Sequence, residues 1–393
     1  MKDHREKNPI SRLFLCIYFF FILFLFAFSY TQVDLGLTLT RASIFTDIQK
    51  AFQYIGYFNR PLSTALFVLC IGGLFGCYLY LLKYSKNISR KTIWTLILIT
   101  TGILAFSYNA FSYDLFNYIF DAKIVTHYGL NPYVHKALDF PGEPMLSFMH
   151  WTHRVYPYGP LWLGLTIPLS YLGSNIFIVT FFLFKIFIAG AYLLTVYFIE
   201  KVSERIKNNT GSLPVVLFAF SPFVLVESLV SSHNDIVMMA LCMAGIYLLI
   251  SQKFAQAFLL VVLSAAVKYA TAVLLPLMLI IWMASNKRIT LEWSKLLPIF
   301  SLTLLFTVGA ATIQSGNFQP WYLLFVMPIF VLCTSKRYLI VPLVIISIGA
   351  LVTYIPYFYL GNDSYKIAYL LPLITLLTAI ISFVSGIILY RFK

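Results

Sequence analysis

The chain has 393 residues, of which 60% are hydrophobic and only 11% charged, and its mean hydropathy of +0.85 excludes a soluble globular domain. A formal net charge of +14 does not mark a nucleic-acid partner, because the Lys and Arg residues fall in short clusters between apolar runs, as the positive-inside rule predicts. The apolar runs lack the strict alternation of a transmembrane barrel, so the expected class is an all-α polytopic membrane protein.

Taken in chain order, a basic flank over residues 1–12 precedes an apolar stretch at 13–29, read as an uncleaved first helix running outward. Residues 61–82 return to the basic segment 83–91, and 92–110 cross outward again. That places 111–162 on the extracytoplasmic face. The apolar stretch 158–172 is short and bounded by Pro157, Pro160, Pro168 and Gly173, which reads as a re-entrant or interfacial helix. Residues 175–199 then cross inward to Lys201, Arg205 and Lys207, and 213–230 return to an outer turn at 231–235. Residues 236–251 lead in to Lys253, and 254–267 with 270–284 form a tight pair whose outer turn holds Lys268 and Tyr269. After Lys287 and Arg288, 297–313 run outward to an outer segment at 319–324, and the chain returns to Lys336 and Arg337. A last pair, 338–359 and 367–390, places GNDSYK (361–366) outside and Arg391 and Lys393 inside. About twelve spans result, with both termini cytoplasmic. No internal repeat is visible at solenoid or transporter-half spacing.

The long polar interruption at 111–162 holds three of the eight aspartates and four of the six histidines, and a membrane protein that concentrates polar residues this way usually has a site there. On a helix, Asp114, Asn117 and Asp121 share a face with Tyr118 beside them, while Leu115, Phe116, Ile119 and Phe120 form an apolar face. Such a helix would lie in the membrane surface with its polar side towards solvent or a cavity. Asp114 and Asp121 are seven residues apart, roughly 10 Å along the helix, too far to share a proton. One carboxylate would act alone. That suffices to activate a sugar hydroxyl for attack on an anomeric carbon whose leaving group is a phosphate, whereas glycoside hydrolysis normally needs a second carboxyl to protonate the leaving oxygen. The competing structural role for Asp114 is to cap the helix start.

Elsewhere, Asn234 or Asp235 suits an N-cap for the apolar run that follows. His233, at the outer rim, suits either a phosphate oxygen or the orientation of a base. Lys268 interrupts a nearly continuous apolar run, where a charge costs roughly 2.5–3.5 kcal/mol on insertion scales; it either snorkels or clamps a phosphate. Arg154 is a second candidate clamp. Lys185 falls mid-span without an evident partner, with Glu227 its best acidic neighbour among the spans. The rings of Tyr156, Tyr158, Trp162, Trp321 and Tyr322 suit sugar stacking or an interfacial aromatic belt. His150 and His153 lie three apart with no companion carboxylate, so a divalent metal is not favoured and no cofactor is expected. The cysteines Cys16, Cys70, Cys77, Cys242 and Cys333 sit in apolar segments without paired spacing, which argues against both disulfides and a thiolate site. Gly-rich nucleotide loops are absent, which argues against a sugar nucleotide or ATP as substrate.

The order SYDLFNYIFDAKIVTHYGLNPY, VYPYGPLW, SPFVLVESLVSSHND, AAVKYATAVLLPL and QPWYLL resembles the GT-C class of integral-membrane glycosyltransferases, and within it the bacterial polyprenyl-phosphate-mannose-dependent α-(1→6)-mannosyltransferases. The likeness covers roughly residues 92–324. It implies a GT-C-like helical bundle in which 1–91 form an N-terminal hairpin, 92–335 the catalytic module with the large outer loop 111–162, and 336–393 a C-terminal hairpin. It implies a catalytic aspartate in the first large outer loop, carried here by Asp114, and inversion at the anomeric carbon. The donor phosphate would face His233, Lys268 or Arg154, and the remaining substrate contacts would come from Asp121, Asn131, Tyr133, Tyr158, Asn234, Asp235, Gln319, Trp321 and Tyr322. Where many GT-C enzymes pair two acidic residues, this chain has Leu115 beside Asp114, which disfavours a metal-bridged mechanism. The expected function is transfer of a hexose, most simply mannose, from a polyprenyl-phosphate donor to a cell-envelope glycan or glycolipid on the outer face of the plasma membrane. The alternative is a transporter or flippase of a lipid-linked saccharide, which would place polar residues at the midplane of matching halves.

Overall fold

The computed structural model describes residues 10–40, 42–206, 211–361 and 364–392. The basic flank over 1–9, Lys207, Asn362, Asp363 and Lys393 lie outside the described residues. Among the described residues the chain is helical throughout, with no strand. Helix α1 (Arg12–Thr31) starts where Ser11 Oγ accepts the Phe14 N–H, and it packs against α3 (Arg60–Tyr84), the short amphipathic α2 (Ser43–Gln53) lying between them in sequence. Helix α4 (Arg90–Leu104) is capped by Ser89 and ends short of the expected crossing at 92–110. Irregular chain follows, its polar groups tied down locally: Ser29 Oγ accepts the Tyr108 N–H at 2.9 Å, and Asn109 Nδ2 donates to the Ser112 carbonyl.

Helices α5 (Asp114–Thr126), α6 (Pro160–Leu172) and α7 (Phe177–Arg205) pack on one another. Next come α8 (Leu213–Ala219) and α9 (Pro222–Val230), bent by 46° where a single crossing was expected. The bend has a local cause. Pro222 forces the preceding Ser221 into an extended conformation (φ −60°, ψ 121°), which a continuous helix does not tolerate. Helices α10 (Asp235–Ile250), α11 (Phe254–Val267), α12 (Leu274–Asn286) and α13 (Trp293–Ser315) follow, the last ended by Gly316 in the left-handed region (φ 75°). Helix α14 (Met327–Cys333), at 7 residues, is far too short to make the expected inward return alone. The chain closes with α15 (Arg337–Val352), α16 (Ile355–Leu360) and α17 (Ile367–Arg391).

Among the described residues seven helical segments are long and apolar enough to cross a membrane, with 269–286 (the turn before α12 and α12) and 337–360 (α15 with α16) each taken as one, or eight if the bent α8–α9 pair is one span. The protein is therefore a multi-pass membrane protein. Against the expected total of about twelve, the remaining apolar helices α6, α10 and α11 have only 13, 16 and 14 residues. Residues 213–240 are buried without interruption, so α8, α9 and the start of α10 form the centre of the molecule, with α7 and α11 packed on α10. An all-round apolar helix such as α10 belongs at such a centre, whereas α17, mostly exposed, suits a lipid-facing edge.

The loop before α6 is locked to α11 by backbone approach: the Gly159 N–H donates to the Val267 carbonyl at 3.1 Å. A methyl group on Gly159 would sit 2.1 Å from the Ala266 carbonyl oxygen. Gly159→Ala is therefore expected to push the loop carrying Arg154 and Tyr158 away from the Lys268 turn at a cost of about 1–3 kcal/mol, readable as a lowered unfolding temperature in detergent.

Candidate active site

Helix α5 begins at Asp114, where Ser112 Oγ accepts the backbone N–H at 3.1 Å. The N-cap position is Tyr113, which makes no side-chain cap bond, so the Asp114 carboxylate is not spent on capping. It faces two cationic groups instead. Asp114 Oδ1 lies 3.8 Å from Arg154 Nη2, and Oδ2 lies 3.5 Å from His233 Nδ1. Burial works to raise the Asp114 carboxyl, but His233, then Arg154 and Lys268, overcome it and hold the group below its ordinary value. Asp121, two turns along, goes the other way: burial lifts its carboxyl to about 7, with Arg154 opposing and the Asp114 charge adding. Two carboxylates on one helix are thus separated into one held ionised and one that holds its proton near neutrality.

Helix α5 is enclosed by protein, so of the two expected surroundings for its polar side, solvent or a cavity, the interior one holds. Every residue from Asp114 to Phe120 is buried, because α6 and α7 cover one side and the segment around Phe148 covers another, with the Phe116 and Phe148 rings 5.3 Å apart. Its polar face looks into the protein.

His233 is fully buried, and its other nitrogen, Nε2, lies 3.2 Å from Glu227 Oε2. Both ring nitrogens sit at ion-pair distance from a carboxylate, none of these contacts being aligned as a hydrogen bond. Its face stacks on Trp321, ring centroids 4.3 Å apart. Burial would lower the imidazole, but the flanking Asp114 and Glu227 carboxylates raise it to about 9. Of the two roles the sequence allowed, orientation of a base fits this geometry, since no ring nitrogen faces open space for a phosphate.

Arg154 donates to the Tyr158 hydroxyl at 3.2 Å and lies over the Trp151 and Tyr158 rings, with its side chain 34% exposed. Lys268 terminates α11 in an extended conformation and donates to Asp235 Oδ1 at 2.7 Å, its ammonium 5.9 Å from the centre of the Tyr322 ring. Asn234 is the N-cap of α10 yet makes no side-chain cap bond; Tyr118 OH donates to its Oδ1 at 3.3 Å. The Asn234 Nδ2 and Asp235 Oδ2 atoms are buried without hydrogen-bond partners. The structure thus brings together Asp114, Asp121, Arg154, Tyr158, His233, Asn234, Asp235, Lys268, Trp321 and Tyr322. Two candidates stand apart. Asn131 is exposed and its Oδ1 accepts the Tyr133 N–H of its own turn, while Gln319 opens the 3₁₀ turn Pro320–Phe325 without a side-chain bond. Tyr133 stays at the rim, its hydroxyl 3.4 Å from the Tyr158 carbonyl.

Lys185 does not pair with Glu227. Its ammonium donates to the carbonyls of Leu229 and Val230 at 2.6 and 2.9 Å and to Ser107 Oγ at 3.1 Å. Glu227 is turned towards His233 and Tyr354, whose hydroxyl donates to Oε1 at 2.8 Å. Among the described residues no three His, Cys, Asp or Glu side chains are grouped to hold a metal; His150 stacks on Tyr113 at 3.6 Å. A cavity of about 620 Å³ lies along the later turns of α5, around Ile119, Lys123 and Glu143, and holds none of Asp114, Arg154, His233 or Lys268. Its carboxylate is committed to Lys123 and Tyr128.

The site is thus a buried carboxylate flanked by cationic groups inside a multi-pass membrane protein. The chain belongs to the MptA_B family, whose profile, described as alpha-(1->6)-mannopyranosyltransferase, N-terminal domain, matches residues 30–284. That region carries Asp114, Arg154, Glu227, His233 and Lys268, and leaves Trp321 and Tyr354 outside it. Alpha-(1->6)-mannopyranosyltransferase A of Corynebacterium glutamicum is 24% identical over 161 residues, covering 40% of this chain and 32% of that protein. The protein of the same name from Mycobacterium tuberculosis is 22% identical over 156 residues, 39% of this chain and 30% of its own. The matches thus span about a third of these relatives' length. No solved structure matches the chain significantly.

Proposed function

We propose that the protein transfers mannose, with inversion, from a polyprenyl-phosphate donor to a cell-envelope glycan or glycolipid at the extracytoplasmic face of the plasma membrane. The observation that supports this most is the Asp114 carboxylate, buried and held ionised beside Arg154, with Lys268 a second cation in the same cluster. In the proposed step an acceptor hydroxyl oxygen attacks the anomeric carbon and its proton passes to Asp114. The bond from that carbon to the phosphate oxygen breaks, and polyprenyl phosphate leaves with the electron pair. A phosphate needs no proton on departure, so one carboxylate suffices. Arg154 and Lys268, both partly exposed, are placed to stabilise the charge that develops there. This assignment requires no divalent metal, and it takes residues 92–335 as the catalytic module and the clustered outer segments as its donor-binding face.

Arg154→Gln removes the more exposed cation without leaving a fully buried acid unpaired. Transfer of labelled mannose from polyprenyl-phosphate mannose to membrane acceptors is expected to fall about 10²-fold, the loss residing in kcat/KM. Unchanged transfer would remove Arg154 from the leaving-group site. Complete lack of transfer by the wild-type protein with this donor would overturn the donor assignment.

A further inference from the structure

The proposed reaction uses Asp114, but the buried chain of groups behind it is longer than one proton acceptor needs. His233 fills the space between Asp114 and Glu227, with no exposed surface of its own, and Glu227 is equally buried. Behind Glu227 stands Tyr354, which donates its hydroxyl to Oε1 at 2.8 Å and packs its ring 5.3 Å from Phe111, three residues before Asp114. Tyr354 sits at the joint between α15 and α16, in the part of the chain that the family profile does not reach. Three separate elements thus meet on one imidazole, namely the start of α5, the Glu227 turn of α9 and the Trp321 turn, and the α15–α16 joint reaches it through Glu227.

Resting on the transferase reading, we infer that Glu227 and Tyr354 are positioning residues that act on Asp114 through His233. The imidazolium, clamped between two carboxylates and faced by Trp321, fixes the Asp114 carboxylate in its ionised orientation, and the C-terminal hairpin completes the active site by supplying Tyr354. Neutral imidazole could satisfy only one of the two carboxylates, since it carries one N–H. The charged groups around His233 are few. Asp114 and Glu227 face it directly, Arg154 and Lys268 act on it by way of Asp114, and Lys268 is itself partly offset by Asp235. With the imidazole raised to about 9 in the fold against about 6.5 when unfolded, its stabilising charge is fully present below about pH 6.5 and is lost as pH rises through about 9. Wild-type transfer should accordingly persist through neutrality and decline on the alkaline side.

The test compares wild type with Glu227→Gln and Tyr354→Phe in membranes containing ¹⁵N-histidine, the His233 signal being identified by its absence in a His233→Gln sample. Two quantities are read: the protonation of His233 by solid-state NMR across pH 6 to 10, and the pH profile of mannose transfer. Wild-type His233 should remain imidazolium at pH 7.5. Glu227→Gln should move its titration down by about one unit or more, and the alkaline limb of transfer should move with it. Tyr354→Phe keeps both charges and should shift the limb less, while lowering kcat several-fold with little change in KM for the donor. If Glu227→Gln does not accumulate, Tyr354→Phe carries the comparison. A neutral His233 at pH 7.5 in wild type, or a Glu227→Gln protein whose titration and alkaline limb both stay in place, overturns the inference. Absence of transfer by wild type tells against the donor assignment instead, and leaves the NMR titration to decide the clamp.

Discussion

Asp114→Asn is expected to lower mannose transfer by at least about 10³-fold while the protein continues to fold. Asparagine is isosteric and keeps the helix start, where Ser112 rather than the Asp114 side chain meets the first backbone donor. What it removes is the ability to take a proton and the negative charge that Arg154 and His233 face at 3.8 and 3.5 Å. Asp121 is no substitute, because it sits two turns further along α5 and its burial raises its carboxyl to about 7. Transfer measured beside an unfolding curve separates the catalytic loss from a structural one. Retention of more than a tenth of wild-type transfer by a well-folded Asp114→Asn protein would place the base elsewhere.

The second large effect is structural. Lys185→Met should destabilise the protein by about 2–4 kcal/mol, because it strips the donor from two carbonyls and a hydroxyl in a fully buried region. The carbonyls belong to Leu229 and Val230, at the end of the bent segment that delivers Glu227 and His233. Activity should therefore fall along with stability, and Lys185→Arg, which keeps donors, should recover part of both. A Met variant with an unchanged unfolding temperature would show that these carbonyls find other partners.

Much of the site was legible in the sequence because polar residues in an apolar chain are costly and therefore conspicuous. Asp114, Arg154, His233 and Lys268 were visible on that basis, and they meet although they are separated by up to 154 positions in the chain numbering. Glu227 was equally conspicuous but was assigned the wrong neighbour. Its partner depended on the wide turn of the Leu225–Val230 segment, whose π-type register carries the chain round so that His233 N–H donates to the Glu227 carbonyl six residues back. No regular helical periodicity predicts that return. Tyr354 carried no signal at all, being one of 27 tyrosines and lying where interfacial aromatics are ordinary. The fold class followed from composition, whereas the number of long spans did not, since hydropathy cannot see that Pro222 breaks one crossing or that α4 and α14 stop early. The amphipathic pattern of α5 left its polar side two surroundings, solvent or a cavity, and it serves an internal cluster because α6, α7 and the segment around Phe148 close over the helix.

The most direct test of the account supplies purified protein, in bilayers, with either labelled polyprenyl-phosphate mannose or nucleotide-activated mannose, and determines the anomeric configuration of the product. Transfer is expected from the lipid-linked donor alone, with inverted configuration, and is abolished by Asp114→Asn. Transfer from the nucleotide donor, or retained configuration with the lipid donor, would contradict it.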